Sequence, residues 1–510
     1  MQNTPIRHSR IPGASKLFTG ALYDFARVAR FYSYDPGRHE SFVEAARRVE
    51  YPDARRASLV EALREANGHS PALDALSGSG TVAVVTGQQV GLFSGPAYTV
   101  YKALTAIKLA RQLSQSGVPA VPLFWLATED HDFEEVRHAW VFDAAHNPVR
   151  LSVPADTSQR PVGGIPLPAW PVSGLRDALA GLPFAEDVVR DVETACAPGA
   201  TLGGSFLALL KPLFARFGLL FVDPLQPALR AIAAPFLGAA AEAAPELVRR
   251  LLERNRELSD AGYHAQVHVE PASSLLFSLE NGRRTPLLLG QRVPEPRHLS
   301  PNALLRPVIE DYLLPTVAYV GGPAEVAYFA QAQVLYQALG ARPPVVVPRA
   351  GFTLLDSRAV KLMSRYGLEF LDLLQEDGTL KDRIASRLVP PGLAARFEQT
   401  GEAFRGQLDE LRREVLAFDP TLAAALDKAR VKMLYQLSKT EAKLKRETLR
   451  RDERAAGDAA HLANLVYPHR HLQERFYSFL PFLAKHGPDL LDRVYESLRL
   501  DTPDHLVLAV

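Results

Sequence analysis

Residues 129–135 place five carboxylates around one histidine, in the order Glu-Asp-His-Asp-Phe-Glu-Glu. Carboxylates at this density repel one another, so the segment costs stability unless a metal cation, a substrate amine or an arginine offsets the charge. A histidine between two acids suits a general base or a metal ligand. The alternative is structural, because acidic residues also stabilise the N-terminus of a following helix. The chemical interpretation predicts four catalytic residues, Glu129, Asp130, His131 and Asp132.

A glycine-rich segment, residues 86–95, reads Thr-Gly-Gln-Gln-Val-Gly-Leu-Phe-Ser-Gly and is predicted to form a loop before a helix. It matches neither GxGxxG nor GxxxxGK[ST], so neither of those nucleotide-binding loops is supported. Glycines still permit close backbone approach, and a helix N-terminus offers free N–H groups to a phosphate or carboxylate. A tight strand-to-helix turn is the alternative. The binding interpretation predicts cofactor contacts from Thr86, Gly87, Gln88, Gln89, Gly91, Gly95 and Lys102.

The same order of strand, glycine turn and helix recurs over residues 315–339. Pro323 and Glu325 are also good choices for the first turn of a helix on structural grounds alone. Arg349 follows a further apolar strand and could either bind an anion or pair with an acid. These segments, with a tyrosine at the start of the first helix, predict substrate contacts from Tyr98, Gly321, Gly322, Glu325, Tyr328 and Arg349.

Two other features have weaker chemical interpretations. Residues 361–365, Lys-Leu-Met-Ser-Arg, resemble the KMSKS loop of class I tRNA synthetases, but they lie in a predicted helix, which favours an ordinary surface helix. The single cysteine, Cys196, has no base near it in sequence and is predicted to be an inert buried thiol.

The apolar pattern predicts a scaffold that brings these distant segments together. Residues 82–85 and 118–126 are apolar runs typical of buried strands, and residues 98–113 between them have helical spacing. Further strands are predicted at 219–222, 315–320 and 345–348, and Asn281-Gly282 predicts a hairpin turn. Strands alternating with helices indicate an α/β fold with a parallel sheet. Ligands bind such sheets beyond the carboxyl ends of the strands, so the sequence predicts one site at that edge.

From about residue 391 the pattern changes to two long helices with narrow apolar stripes, broken at Asp419-Pro420. This pattern predicts an antiparallel coiled-coil hairpin with a surface for self-association. Its second arm is basic, which is typical of a solvated helix face, with RNA binding as the alternative. The predicted domains are a core over 1–390, the hairpin over 391–457 and a C-terminal segment over 458–510 that packs back on the core.

Composition excludes several classes of protein. The chain has 510 residues, 47% of them hydrophobic, and a net charge of +1, which gives no electrostatic reason to expect nucleic acid or an anionic membrane as partner. One cysteine excludes an intrachain disulfide. The N-terminus lacks a signal-peptide core, and the most apolar window, 229–248, is interrupted by prolines and glutamates. A cytoplasmic location is predicted.

Two motifs together resemble those of a known family. Residues 86–110, followed by Pro-Leu-Phe-Trp-Leu-Ala-Thr-Glu-Asp-His-Asp-Phe-Glu-Glu at 122–135, resemble the bacillithiol biosynthesis family BshC. The resemblance extends over nearly the whole chain, including residues 319–331, the segment 343–356, the coiled coil and the aromatic tail.

The resemblance implies a Rossmann-like parallel sheet, of the type found in nucleotidyltransferases and synthetases, with connecting insertions and a coiled-coil domain that pairs two subunits. It implies a ligase that joins L-cysteine to the amine of glucosaminyl-malate, with ATP as the expected activating agent and Mg²⁺ as a candidate cation. His131 would then deprotonate the amine. The chain lacks the HIGH motif of the cysteine-activating synthetases, which argues against a direct transfer of their mechanism. The alternative function is a non-catalytic, dimeric nucleotide- or thiol-binding scaffold.

Overall fold

The strands divide among one parallel sheet and several small antiparallel groups. A computed structural model describes residues 3–375 and 379–510. In chain order the strands are β1 (Thr4–Ile6), β2 (Val82–Gln89), β3 (Ala120–Ala127), β4 (His138–Phe142), β5 (Pro148–Ser152), β6 (Leu220–Val222), β7 (Ser273–Glu280), β8 (Arg283–Leu288), β9 (Leu299–Pro301), β10 (Thr316–Gly321), β11 (Val345–Pro348), β12 (Gly351–Leu355) and β13 (His505–Ala509).

Helices make up most of the remaining regular structure. They are α1 (Lys16–Tyr23), α2 (Phe25–Val28), α3 (His39–Arg47), α4 (Asp53–Asn67), α5 (Pro71–Ser77), α6 (Tyr98–Gln115), α7 (Phe133–Val136), α8 (Val172–Leu179), α9 (Ala185–Ala195), α10 (Leu202–Phe214), α11 (Pro227–Asp260), α12 (Arg306–Leu313), α13 (Pro323–Ala338), α14 (Ser357–Tyr366), α15 (Phe370–Leu373), α16 (Thr379–Leu388), α17 (Pro391–Phe418), α18 (Pro420–Arg451), α19 (Glu453–Val466), α20 (Gln473–Phe476), α21 (Leu480–His486) and α22 (Leu490–Ser497).

The chain forms two compact units. The sheet unit comprises the residues up to Thr353 together with Gln473–Leu508, and the helical unit is Leu354–Leu472. The divisions predicted from the sequence fell after residues 390 and 457. The helical unit begins earlier because α14, α16 and α19 contact one another, and α16 and α19 also contact α18.

The predicted α/β fold is confirmed by a five-stranded parallel sheet in the order β11-β10-β2-β3-β6. Both faces of its strands are covered, as parallel sheets require. Val82 and Val84 point into one apolar core with α6, while Ala83 and Val85 point into a second and larger core. One strand contributes to both cores because successive side chains of a strand point to opposite faces of the sheet.

The strand order places a crevice beside β2. Successive strands β2, β3 and β6 extend to one side of the sheet, whereas β10 and β11 lie on the other. Such a reversal of direction opens a crevice at the carboxyl edge, where α/β proteins bind ligands. At this edge β3 is followed by residues 128–130, β10 by Gly322 and β11 by Arg349.

The predicted turn at Asn281-Gly282 is confirmed. Both residues have positive φ, 54° and 69°, as a two-residue hairpin turn requires. The hairpin pairs β7 with β8, and β9 adds on the other side of β7. This small sheet carries Phe277 and Arg284 to the carboxyl edge of the main sheet.

Helix α11 belongs to the core of the sheet unit. Within the described part of the chain it is the one helix that is long and apolar enough to cross a membrane by length and composition. Its buried residues recur on one face, however, and include Leu229, Ala233, Leu237 and Ala240 of the larger core. That spacing is typical of a globular helix with one apolar face.

The predicted coiled-coil hairpin of the helical unit is confirmed by α17 and α18. Asp419 leaves helical geometry between them, and its carboxylate caps α18 by accepting the N–H of Thr421 at 2.8 Å. Arg412 Nε lies 2.7 Å from the Asp427 carboxylate across the two helices. Residues 361–365 lie within helix α14, so the KMSKS-like segment is not a loop.

Candidate functional site

A cavity of about 580 Å³ opens at the carboxyl edge of the parallel sheet, within the sheet unit. It is large enough for a small-molecule substrate. The residues around it are Gln88, Gln89, Tyr98, Lys102, Trp125, Ala127, Glu129, Asp130, His131, Asp132, Glu135, Phe277, Arg284, Pro301, Asn302, Ala303, Arg306, Gly322, Pro323, Ala324, Glu325, Tyr328, Arg349 and Arg475. The cavity therefore brings together all four residues predicted as catalytic and five of the six predicted to contact substrate.

One side of the cavity, here called the acidic wall, consists of Glu129, Asp130, Asp132 and Glu135. Two of these carboxylates have arginine partners. Glu129 is buried and lies 2.6 Å from the Arg230 guanidinium. Burial raises the pKa of Glu129, and Arg230 opposes that rise. Arg230 thus supplies the compensation that a crowded acidic segment needs.

Asp130 is held as a carboxylate by several donors. Burial alone would raise its pKa, but hydrogen bonds from Gln89 and from the backbone N–H of His131, with the charge of Arg284, bring the pKa well below its ordinary value. Gln89 donates through Nε2 to Asp130 at 2.5 Å and to Glu135 at 3.0 Å. These contacts make Asp130 a fixed negative charge and a weak base.

The structural alternative for the acidic segment is confirmed for Asp132. Its carboxylate accepts the N–H of Glu135 at 3.1 Å and so caps the short helix α7. The side chain also lies on the cavity and is exposed. Capping and ligand contact are compatible because a carboxylate has two oxygens with several lone pairs.

His131 contacts Arg284, which was not among the predicted site residues. Arg284 Nη1 lies 2.9 Å from His131 Nδ1 and 3.5 Å from Asp130 Oδ1. The guanidinium also lies over the Phe277 ring, 3.8 Å from its centroid. Arg284 follows the predicted hairpin turn at Asn281-Gly282. The sequence therefore indicated that Arg284 lies on a hairpin strand, but it did not indicate that Arg284 contacts His131.

A second group of cavity residues, here called the basic wall, consists of Lys102, Arg306, Arg349 and Arg475. Lys102 is buried, and its ammonium lies 2.5 Å from Glu325 Oε2. Burial lowers the pKa of Lys102, and the Glu325 charge opposes that effect. Glu325 also accepts hydrogen bonds from Tyr319 at 2.6 Å and from the Gly322 N–H at 2.7 Å.

Arg306 anchors a second network on this wall. Its guanidinium lies 2.7 Å from Glu310 and donates to the Tyr328 hydroxyl at 2.6 Å. Glu310 is fully buried, and burial raises its pKa to about 8 despite the opposing charge of Arg306. Arg306 keeps partial exposure to the cavity, with 18% of its side-chain surface accessible.

Arg349 pairs with an acid, which was one of its two predicted roles. It makes two hydrogen bonds to the buried Glu474 carboxylate, at 2.6 and 2.9 Å. The next residue after Glu474, Arg475, is exposed beside the cavity, and no described residue forms an ion pair with it. Arg475 is therefore an uncompensated cation on the basic wall, supplied by a segment that no sequence motif connected with the site.

The glycine-rich segment differs from its prediction. Residues Thr86 to Gln89 continue strand β2 rather than forming a loop, and Gly87 pairs with Trp125 of β3. A Cβ on Gly87 would lie 2.9 Å from the Trp125 carbonyl oxygen, so glycine is needed there for the close packing of two strands. The Thr86 hydroxyl donates to the Val320 carbonyl at 2.8 Å.

The loop proper covers residues 90–97 and is buried in protein. Gly91 and Gly95 pack close to each other, and Gly95 has φ +65°. The Phe93 carbonyl accepts the Ser478 hydroxyl at 2.9 Å, and the Ala97 N–H donates to the Tyr477 carbonyl at 2.7 Å. Of the seven residues predicted to bind a cofactor, only Gln88, Gln89 and Lys102 reach the cavity.

Two further residues that the sequence singled out lie outside the cavity. Gly321 ends β10, and a Cβ there would meet Glu325 at 2.9 Å, so Gly321 serves the packing of the α13 turn. Cys196 is buried beside Ser205, and burial raises the pKa of its thiol to about 11. That environment agrees with the predicted inert thiol.

Both units match domain models of one known protein family. The model described as "Bacillithiol biosynthesis BshC, N-terminal Rossmann-like domain" matches residues 1–293 and 288–350, and the BshC C-terminal coiled-coil domain matches residues 352–510. The chain belongs to the BshC family of bacillithiol biosynthesis proteins. The family's Rossmann-like domain therefore contains the parallel sheet.

Relatives with the name "Putative cysteine ligase BshC" align over the full chain. The protein from Solibacter usitatus is 53% identical, with 100% of each chain covered. The protein from Koribacter versatilis is 33% identical, with 98% of each covered, and that from Symbiobacterium thermophilum is 36% identical, covering 96% of this chain and 98% of its own. This BshC family member is thus similar throughout to proteins named as cysteine ligases.

Proposed function

We propose that this BshC family member is a ligase that forms an amide between the carboxylate of L-cysteine and the amine of glucosaminyl-malate, the last step of bacillithiol biosynthesis. The observation that carries the proposal is the opposite charge of the two walls of one cavity. The names of the relatives support a cysteine ligase, and the charge distribution supports an acceptor that has an amine at one end and carboxylates at the other.

The acidic wall has an excess of negative charge. Four carboxylates, those of Glu129, Asp130, Asp132 and Glu135, face the guanidinium groups of Arg230 and Arg284. Asp132 and Glu135 are the exposed members. An ammonium group that enters the cavity would be attracted to them, since opposite charges within about 4–6 Å favour one another's ionised forms.

The basic wall has an excess of positive charge. Its four cations, on Lys102, Arg306, Arg349 and Arg475, are opposed by only two carboxylates, those of Glu325 and Glu474. Glu310 does not add a third negative charge, because burial raises its pKa to about 8. Arg306 and Arg475 are the cations with exposure to the cavity or solvent. Guanidinium groups bind carboxylates with two parallel hydrogen bonds, so the malate end of the acceptor belongs here.

Amide formation from a free carboxylate needs an activating agent, and we propose ATP with Mg²⁺ for this role. The residues expected to cradle phosphates do not fit it, because Thr86–Gln89 are strand residues, residues 90–97 are committed to protein contacts, and Lys102 is paired with Glu325. We therefore assign the backbone of the glycine-rich segment no contact with ATP, although the side chains of Gln88 and Gln89 line the cavity. The acidic wall offers carboxylate oxygens, the ligands that Mg²⁺ prefers.

We also propose that the chain acts as a cytoplasmic homodimer paired through the coiled coil. Several apolar residues of α17 and α18 are exposed in the single chain, among them Phe404 (43%), Leu411 (45%), Phe418 (85%), Leu422 (48%) and Met433 (50%). Exposed apolar stripes on long helices are typical of partner-binding faces. Sedimentation of the purified chain tests this, and a monomer at micromolar concentration would contradict it.

The proposed reaction is tested by mass spectrometry of the purified chain with L-cysteine, glucosaminyl-malate, Mg²⁺ and ATP, beside reactions that lack one component. We expect bacillithiol only when all components are present. Product without ATP would overturn the activation step alone. Absence of product from folded protein under every nucleotide would overturn the ligase and support the alternative of a non-catalytic scaffold.

A further inference from the structure

The contact between Arg284 and His131 determines which nitrogen of the imidazole is free. A guanidinium has five N–H donors and no acceptor, so Arg284 can only donate. Its Nη1 lies 2.9 Å from His131 Nδ1, and the lone pair of Nδ1 therefore accepts that hydrogen bond. The proton of the neutral ring must then reside on Nε2.

Contacts other than that with His131 also hold Arg284 in this position. Its Nε donates to the Ser300 hydroxyl at 3.1 Å, and its Nη2 donates to the Pro301 carbonyl at 2.8 Å. Its guanidinium is stacked on Phe277, and only 9% of its side-chain surface is exposed. Its backbone N–H donates to the Gln159 carbonyl at 2.8 Å. Contacts from several segments thus fix the donor that His131 meets.

The remaining nitrogen of His131, Nε2, is the one available to a bound molecule. The ring is 29% exposed, lines the cavity, and no described residue accepts a hydrogen bond from Nε2. The second neighbour of Nδ1, Asp130 Oδ1, is farther away at 3.5 Å and already accepts the backbone N–H of His131 at 2.7 Å. The ring therefore presents an N–H donor, rather than a lone pair, to a bound molecule.

We propose that His131 acts in the cavity as an Nε2–H donor to an oxygen of the L-cysteine carboxylate, not as the base that deprotonates the amine, and that Arg284 is the positioning residue that leaves Nε2 as the donor. This replaces the role of base predicted for His131 from the sequence. The assignment of the tautomer stands on the structure alone, whereas the choice of a carboxylate as its partner rests on the proposed ligase function.

The tautomer is measured directly by ¹⁵N NMR of the full chain labelled on histidine. The His131 signals are assigned from their loss in His131→Gln, and His264→Gln, an exposed histidine away from the cavity, is the control. We expect the protonated nitrogen of His131 to be Nε2. A protonated Nδ1 in the neutral ring would overturn the proposal, whatever the outcome of the ligase assay.

Activity variants give an independent measurement. Glutamine keeps an N–H near the Nε2 position but cannot accept a proton as imidazole does, so we expect His131→Gln to retain kcat within about tenfold of the parent and His131→Ala to lose about 10²–10³-fold. Equal loss in both variants, with unchanged unfolding curves, would mean that His131 works as a base and would overturn the proposal.

The positioning role is tested with Arg284→Lys and Arg284→Met. Lysine also donates but cannot accept, so we expect it to preserve the Nε2–H tautomer, whereas methionine should give a mixture of both tautomers. If methionine leaves the His131 spectrum unchanged, Arg284 does not determine the tautomer and its assigned role is wrong.

Discussion

The ammonium of Lys102 lies 2.5 Å from the Glu325 carboxylate, and this buried pair joins the helices that follow two adjacent strands. Lys102 is on α6, after β2, and Glu325 is on α13, after β10. Lys102 also donates to the Gly87 carbonyl at 2.5 Å. The pair therefore links α6 to α13 beside the crevice between β2 and β10.

Removing Lys102 should destabilise the sheet unit rather than only weaken binding. Loss of one partner from a buried ion pair leaves an uncompensated charge, so we expect Lys102→Met to lower the free energy of unfolding by about 3–5 kcal/mol. The double variant Lys102→Met, Glu325→Gln should recover part of this loss. Urea unfolding measures both, with the exposed Lys16→Met as control. A normal unfolding curve for Lys102→Met, with a raised KM for ATP, would instead favour a free phosphate-binding lysine.

Arg475 should affect binding of the acceptor with little effect on stability. It is exposed and has no ion-pair partner among the described residues, so its charge is available to a substrate carboxylate. We expect Arg475→Gln to raise KM for glucosaminyl-malate about tenfold, as the loss of one charge-assisted hydrogen bond would. The exposed Arg499→Gln is the matched control. An unchanged KM for the acceptor in Arg475→Gln would remove Arg475 from the carboxylate site.

Glu310 should make stability depend on pH in the neutral range. Burial raises its pKa from 4.5 to about 8, so between these values the native state binds a proton that the unfolded chain has released. The free energy of unfolding must then fall as pH rises through this window. We expect the parent to lose on the order of 2–4 kcal/mol more than Glu310→Gln between about pH 5 and pH 8.5.

Urea unfolding at a series of pH values provides this comparison. Asp311, whose pKa burial raises to about 6, is present in both proteins, so the difference between them reports Glu310 together with its interaction with Asp311. Parallel curves of stability against pH for the parent and Glu310→Gln would show that Glu310 stays ionised beside Arg306.

Gly87 should behave as a packing residue rather than as part of a phosphate site. An added Cβ would lie 2.9 Å from the Trp125 carbonyl oxygen and 3.0 Å from the Trp125 Cβ. We expect Gly87→Ala to lower stability by about 1–3 kcal/mol, a usual cost of overpacking, with no change in KM for ATP. Gly164→Ala is the control, because a Cβ there meets nothing within 4 Å. Normal stability with a raised KM for ATP in Gly87→Ala would restore the phosphate prediction.

The sequence by itself determined the local elements and their order. The apolar runs of β2 and β3, the helical spacing of α6, the Asn281-Gly282 turn and the hairpin broken at Asp419-Pro420 are all found in the structure. They could be predicted because strand and helix periods, turn residues and proline act over a few neighbouring residues. The same reasoning placed residues 129–132 at the carboxyl end of a strand, where they line the cavity.

Only the tertiary structure decided which charges meet. Arg284 reaches His131 across 153 residues of chain, Arg349 reaches Glu474 across 125, and Arg230 reaches Glu129 across 101. No local pattern encodes such pairs, since they depend on the order of strands in the sheet and on the side of it to which each insertion returns. The extension of β2 through Thr86–Gln89 has the same origin, because pairing with β3 overrides the preference of glycine for a loop.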